Sequence, residues 1–333
     1  MVGMRIPPAV GPGAAGPGSE RNSKRMLLFG EGRRRSTMAS FSSSPIASIH
    51  DIPQTQVLVP IGPYVEDDEN DEDDVDVVSN VRSRTPRHVP MITLDCDHVM
   101  EAYIEANQYD RDPYWTCIWP SSQAIAASLL NGMLGDETAD KTADKTADKT
   151  AGDPWLDVKD LRVADFGAGL GLAGVAAGLA GAKEVVFLDR EPLSLACCVA
   201  NAELNGCAES ILPVEFDWNL PVGVLEHRFD CILVCDCLYE KFSVEPIARV
   251  LPQLLGKSTE ARIVLADPPN RAKANRDKFL GLMKVYGFEL TEEMRVDVNE
   301  MMATVDHEDG DVGPTVPSYK RTEIVLIVLQ RTG

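Results

Sequence analysis

Basic charge is what this sequence most lacks: 32 Lys and Arg stand against 52 Asp and Glu, a formal net charge of −20. A nucleic-acid backbone calls for a basic face, so the deficit argues against DNA or RNA as a partner. The imbalance is uneven. Residues 1–46 hold seven Lys and Arg against two acids, while residues 66–76 hold nine acids and no base. Outside both stretches the chain stays acidic, which suits a basic protein segment. CxxC pairs are also missing. The five histidines form no cluster with the eight cysteines, which are Cys96, Cys117, Cys197, Cys198, Cys207, Cys231, Cys235 and Cys237. These spacings fit no zinc site, so no metal is expected. Thiols among apolar neighbours read instead as buried and reduced, which implies an interior compartment. No apolar run reaches the roughly 18 residues of a membrane span, so no membrane partner is expected.

What is present is a core. At 44% hydrophobic over 333 residues the chain can bury one large domain or two small ones. Residues 1–50, rich in Gly, Pro and Ser, are expected to lack stable structure. Their Arg- and Ser-rich, acid-poor start fits a mitochondrial or plastid transit peptide. It fits equally a disordered tail on a cytoplasmic protein. Residues 51–137 read as an N-terminal α/β extension. It holds the proline-broken apolar stretch VLVPIGPYV, the acidic run EDDENDEDDVD as a solvated loop between early strands, a strand in PMITLDCD and a helix in HVMEAYIEAN. A second helix begins at Pro120-Ser121 in DPYWTCIWPSSQAIAASLLNGML, with Ala124, Ile125, Ser128 and Leu129 as its apolar spacing. The tandem TADK repeat at 138–151 is too polar for a core and reads as an exposed insertion.

From 152 to 333 strands and helices alternate. LRVADFG, EVVFLD, ILPVEFDW, FDCILVCD and ARIVLAD are apolar strands. Between them lie GLAGVAAGLAGA, PLSLACCVANAELN with Gly206 as its C-cap, and VEPIARVLPQLL. KANRDKFLGLMKVYG follows as an amphipathic helix with Phe279, Leu282, Met283 and Tyr286 on one face. The chain closes with the strands FELTEEMRVDV and TEIVLIVLQ, without a helix between them. This order predicts an α/β fold, a Rossmann-like doubly wound sheet covered on both faces with an antiparallel C-terminal edge pair.

The first strand-to-helix turn reads Asp165-Phe-Gly167-Ala168-Gly169-Leu-Gly171, where glycines let the backbone approach a ligand. Read from Gly169, the stretch also gives the dinucleotide pattern GxGxxG through Gly171 and Gly174. Asp189, closing the second strand about 20 residues on, suits a ribose diol whether the ligand is NAD or S-adenosylmethionine. Three features favour S-adenosyl-L-methionine. Asp165 beside the glycines suits a cationic methionine moiety and disfavours a pyrophosphate. Asp217-Trp218 after the third strand offers a carboxylate to an adenine amino group and an indole to its ring face, although Trp218 alone could be a packed loop aromatic. No chain remains for a separate dehydrogenase substrate domain.

At these residues the sequence resembles the seven-strand lysine methyltransferases, or methyltransferase family 16, from about Tyr114 to Leu329. PYWTCIWPSSQAIA is similar to that family's Trp-containing leading segment, DFGAGLGLAG to its glycine motif and FDWN to its Trp motif. Asp236-Cys-Leu-Tyr239 matches its D-x-x-Y after the fourth strand. DPYWTCIWPSSQA and LADPPNR look closest to the branch that methylates the β-subunit of electron-transfer flavoprotein, which is a mitochondrial enzyme. Three features depart from the family pattern: the TADK insertion, DPPNR after the fifth strand, and the region before Met91. The resemblance implies a seven-stranded fold and a protein-lysine N-methyltransferase, and a monomer is expected. It implies cofactor contacts for Trp119, Gly167, Gly169, Asp189 and Trp218, with Asp165, Ala168, Gly171, Asp217 and Cys235 completing the candidate set. Asp236 would lie beside the methyl group and orient the amine, and Tyr239 would shape that pocket.

A lysine must lose a proton before it can accept a methyl group, and a nearby carboxylate raises its pKa. Asp236 is therefore expected to orient the amine first and accept a proton second. It could also serve as a helix N-cap, and Tyr239 as a packed aromatic. Asp267-Pro268-Pro269-Asn270 is similar to an amide-binding D/N-P-P-Y motif but follows the fifth strand and lacks the aromatic, so it reads as a rigid substrate-side loop. A small-molecule N-methyltransferase and a non-catalytic S-adenosylmethionine-binding protein remain as alternatives on the same fold.

Overall fold

Apolar runs of five to six residues, each ended by a glycine or an acid, build the centre of this molecule. The computed structural model describes residues 48–61, 87–130, 155–301 and 319–332. The segment 1–46, the acidic run at 66–76 and the TADK repeat at 138–151 lie outside the described residues. The chain opens with strands β1 (Gln54–Ile61) and β2 (Arg87–Leu94), paired antiparallel. The apolar stretch around Val57–Ile61 is therefore a strand despite its proline. In a two-stranded sheet both strands are edges, where a missing N–H can face away from the ladder. Helices α1 (Cys96–Glu105) and α2 (Pro120–Leu130) follow. Asp95 caps α1, its carboxylate accepting from the His98 N–H at 2.9 Å.

The alternating part contains β3 (Arg162–Phe166), α3 (Leu172–Leu179), β4 (Glu184–Asp189), α4 (Pro192–Leu204), β5 (Ile211–Glu215), β6 (Cys231–Cys235), α5 (Val244–Leu254), β7 (Arg262–Asp267) and α6 (Lys273–Val285). It ends with β8 (Phe288–Met301) and β9 (Tyr319–Arg331). These make a seven-stranded sheet in the order β5-β4-β3-β6-β7-β9-β8. The first five strands are parallel, β9 runs antiparallel to β7, and β8 closes the edge antiparallel to β9. Pro192 starts α4 at a position whose N–H has no helical partner, and Gly206 at φ 71° ends it.

Side chains alternate across the sheet and divide the core in two. Val163, Phe187, Leu233 and Leu326 face the layer of α2, α3, α4 and the β1–β2 hairpin. Phe166, Leu188, Val234 and Ile327 face α5 and α6. The hairpin is tied to this core by α4: buried Asn201 accepts from the Ile92 N–H at 2.5 Å and donates to Leu170 O at 2.9 Å, and Asn205 donates to Pro90 O at 2.8 Å. On α6 the buried face is Arg276, Phe279 and Met283, with Leu282 only partly buried and Tyr286 exposed. The hydrophobic spacing places Leu282 and Tyr286 on that face, whereas the buried side carries Arg276, paired with Asp267.

The chain leaves β3 toward β4 on one side, while β6 lies against β3 on the other. This reversal opens a crevice at the carboxyl ends of the parallel strands, the usual ligand position in open α/β sheets.

Candidate active site

Loops from all five parallel strands meet in this crevice, around a cavity of about 460 Å³. Gly167 and Gly169 reach it from β3, Leu188 and Asp189 from β4, Asp217 and Trp218 from β5, Cys235 and Asp236 from β6, and Arg271 from beyond β7. Trp119 and Tyr239 also line it. Of the sequence candidates, Asp165, Ala168 and Gly171 do not line the cavity.

The glycine turn explains itself sterically. Gly167 has φ 67°, and a Cβ there would stand 2.7 Å from Cys237 Sγ. Gly169, at φ 55°, donates its N–H to Asp189 Oδ2 at 2.9 Å, and Glu191 N–H donates to Asp189 Oδ1 at 2.9 Å. Burial raises the Asp189 carboxyl above its usual range, and these two backbone donors oppose the rise. Trp218 stacks on Phe166, with ring centroids 5.7 Å apart and planes 22° apart, so its indole forms a firm wall. Asp217 Oδ1 is already engaged by Asn219, whose backbone N–H and side-chain amide donate at 2.8 and 2.9 Å.

Gly171, at φ 81°, is a packing glycine, since a Cβ would stand 2.9 Å from Cys198 Sγ and 3.0 Å from the Phe187 ring. Asp165 lies beneath the turn, buried, with Oδ2 accepting from Gly174 N–H at 2.8 Å in the first turn of α3. A side chain on Gly174 would overlap the Phe187 ring, which keeps that turn close enough to reach the carboxylate. Burial pushes the Asp165 carboxyl up to about 7, above its usual 3.8. The folded chain thus holds a proton that the unfolded chain releases. Stability from this group is present at low pH and falls as pH rises through the window from about 4 to about 7. Asp165→Asn is expected to flatten that slope: thermal melting should change little near pH 5 and rise relative to wild type near pH 8. Equal shifts at both pH values would contradict the assignment.

Asp236 follows β6 directly at φ 55°, in the left-handed region. Such a conformation in a non-glycine residue costs about 1–3 kcal/mol and marks functional turns. Its backbone N–H donates to Ala266 O at 3.0 Å, which holds the turn to β7. The side chain is buried; Oδ1 pairs with the Arg271 guanidinium, and Oδ2 has no hydrogen-bond partner. Burial raises its carboxyl, Arg271 pulls it back down and Glu300 pushes it up. Tyr239 sits half-exposed at the rim, beside the more exposed Phe242.

Two groups that border the cavity were not anticipated from sequence. Arg271 lies over the Trp119 ring, 4.9 Å from its centroid, while pairing with Asp236. Glu191 is a buried hub: Tyr103 donates to its Oε2 at 3.0 Å, Arg111 to the same oxygen at 2.5 Å, and Arg190 pairs with Oε1 at 3.2 Å. Trp115 Nε1 donates to Tyr103 Oη at 2.9 Å, so the segment before α2 is anchored to the start of α4. The only available signal was the position of Glu191, two residues after the strand-ending Asp189.

A family model describing lysine methyltransferases matches residues 100–285. The electron transfer flavoprotein beta subunit lysine methyltransferase of Danio rerio is 32% identical over 164 residues, 49% of this chain and 52% of that protein. Its Homo sapiens counterpart is 25% identical over 187 residues, 55% of this chain and 60% of that protein. A ribosomal protein L11 methyltransferase of Acinetobacter baumannii (strain AYE) is 48% identical over 69 residues, 19% of this chain and 23% of that protein. The chain spans about half the length of the flavoprotein methyltransferases it matches.

Proposed function

The chain belongs to the lysine methyltransferase family, a group of S-adenosylmethionine-dependent enzymes, and we propose that it methylates a lysine ε-amine of a protein substrate. The observation that carries this reading is Asp236. A buried carboxylate with one oxygen left unpartnered, on a strained turn at the end of the cavity, suits an incoming amine. A protein lysine is further supported by the family and by the acids at the cavity mouth, Asp110, Asp112 and Glu240. The flavoprotein β subunit named for two relatives is the first substrate to try.

The cavity fits the cofactor. Gly167 tolerates no Cβ on the side of Cys237, the Gly169 N–H and Asp189 are locked together, and Trp218 presents a fixed ring. Asp189 would hold the ribose diol, Trp218 and Asp217 the adenine, and the backbone of Gly167 and Gly169 would pass close to the methionine end. S-adenosylmethionine supplies a methyl group activated by its sulfonium charge.

The protein's own task is alignment and exclusion of water, since an in-line displacement gains most from a fixed attack geometry. Asp236 accepts a hydrogen bond from the amine and points its lone pair along the line of transfer. Trp119, with Arg271 over its ring, closes one wall. The amine releases its proton to solvent before its lone pair attacks, and the methylated nitrogen carries the charge away.

The test is to incubate the full chain with methyl-labelled S-adenosylmethionine, adding the flavoprotein β subunit in one arm and a fractionated organellar extract in another. Methyl-lysine found by mass spectrometry in a labelled protein is the expected result. Label confined to small molecules or nucleic acid would remove the lysine assignment and leave the cofactor reading standing.

A further inference from the structure

A carboxylate at the acceptor position poses a problem for lysine chemistry. It binds the amine, but it favours the ammonium form, which has no lone pair to attack with. The surroundings of Asp236 are acidic. Glu300 of β8 and Asp267 at the end of β7 add to the negative charge felt around it. Among the described residues, the cation brought to Asp236 is Arg271.

Arg271 is not there by accident of a loose loop. The preceding Pro268 and Pro269 are pinned by buried Arg276, which donates to Pro268 O at 2.8 Å and Pro269 O at 2.6 Å while pairing with Asp267 at 2.6 Å. The guanidinium then lies between the Trp119 face and the Asp236 carboxylate. A planar guanidinium stacks well on an indole, which fixes this cation in place.

We infer that Arg271 balances the charge of the acceptor site, cancelling Asp236 so that an arriving lysine is oriented without being held as an ammonium ion. This rests on the reading of Asp236 as the amine-orienting group. Arg271 acts through Asp236 and is a positioning residue.

The probe is the pair sinefungin and S-adenosylhomocysteine. Sinefungin carries a primary amine where the sulfonium methyl would be, and the second compound carries nothing there. Their affinity ratio therefore reports how strongly the acceptor end favours a cation. In Arg271→Gln the ratio should shift toward sinefungin by about tenfold or more, the effect of one to three pKa units from an opposite charge. Arg271→Lys should keep the wild-type ratio, and Asp236→Asn added to Arg271→Gln should abolish the shift. Asp236→Asn alone leaves the guanidinium unbalanced and should move the ratio the other way. Retained S-adenosylhomocysteine binding shows that each variant is folded, and the Asp236→Asn arm stands even if Arg271→Gln binds neither compound. Unchanged ratios with intact S-adenosylhomocysteine binding would overturn the inference alone. Failure of the wild-type chain to bind S-adenosylhomocysteine would overturn the proposed function with it.

Discussion

Asp236→Asn should lower methyl transfer by about 10²-fold or more while changing S-adenosylhomocysteine affinity little, because misplacement of an attacking group by about 1 Å has costs of that size. The substitution preserves shape. It also preserves the left-handed backbone, since Asn is among the residues that tolerate φ near 55°. What it changes is the group that meets the amine. The carboxylate accepts in two directions, whereas the amide has one accepting oxygen and a nitrogen that donates. The loss should appear mainly in kcat, with melting temperature close to wild type. A variant that keeps most of its rate would show that the amine is held elsewhere, and Tyr239 at the rim would be the next residue to test.

Arg276→Met should cost about 3–5 kcal/mol of stability, the usual result of stranding one partner of a buried ion pair. Arg276 and Asp267 are both buried, and no other cation is paired with Asp267 among the described residues. Burial already pushes the Asp267 carboxyl up to about 6 even with Arg276 beside it. Removing the guanidinium raises it further, so the folded variant takes up a proton that the unfolded chain lacks at neutral pH. The stability deficit should therefore be smaller near pH 5 and larger near pH 8. Denaturant midpoints at the two pH values measure this. A deficit independent of pH would assign the effect to packing on α6. The same arginine holds Pro268 and Pro269, so the variant should also lose transfer activity through a displaced Arg271.

The sheet was largely legible in the sequence because its strands are short apolar runs whose burial does not depend on a particular neighbour. EVVFLD and ARIVLAD coincide with β4 and β7 residue for residue apart from one flanking alanine. The glycine turn was legible for a similar reason: Gly167 and Gly169 need their conformations whatever surrounds them. The N-terminal hairpin was harder, since Val57–Ile61 is ordered by β2 and α2, which lie far along the chain. Asp165 shows a subtler limit. An acid beside the glycines reads as facing the ligand, but strand alternation turns it under α3, where Gly174 meets it. Arg271 and Glu191 were hidden because their roles are pairings across elements, with Asp236 about 35 residues away and with Tyr103 at 88. No local pattern encodes such a meeting.

The measurement that tests the account most directly is equilibrium binding of S-adenosylhomocysteine to the full chain, compared with Asp189→Ala and Asp236→Asn. The account predicts one site, affinity lowered about tenfold or more by Asp189→Ala through the lost charged hydrogen bonds, and affinity nearly unchanged by Asp236→Asn. Binding that is absent, or that ignores Asp189 and depends on Asp236, would contradict a cavity with its cofactor end at β4 and its acceptor end at β6.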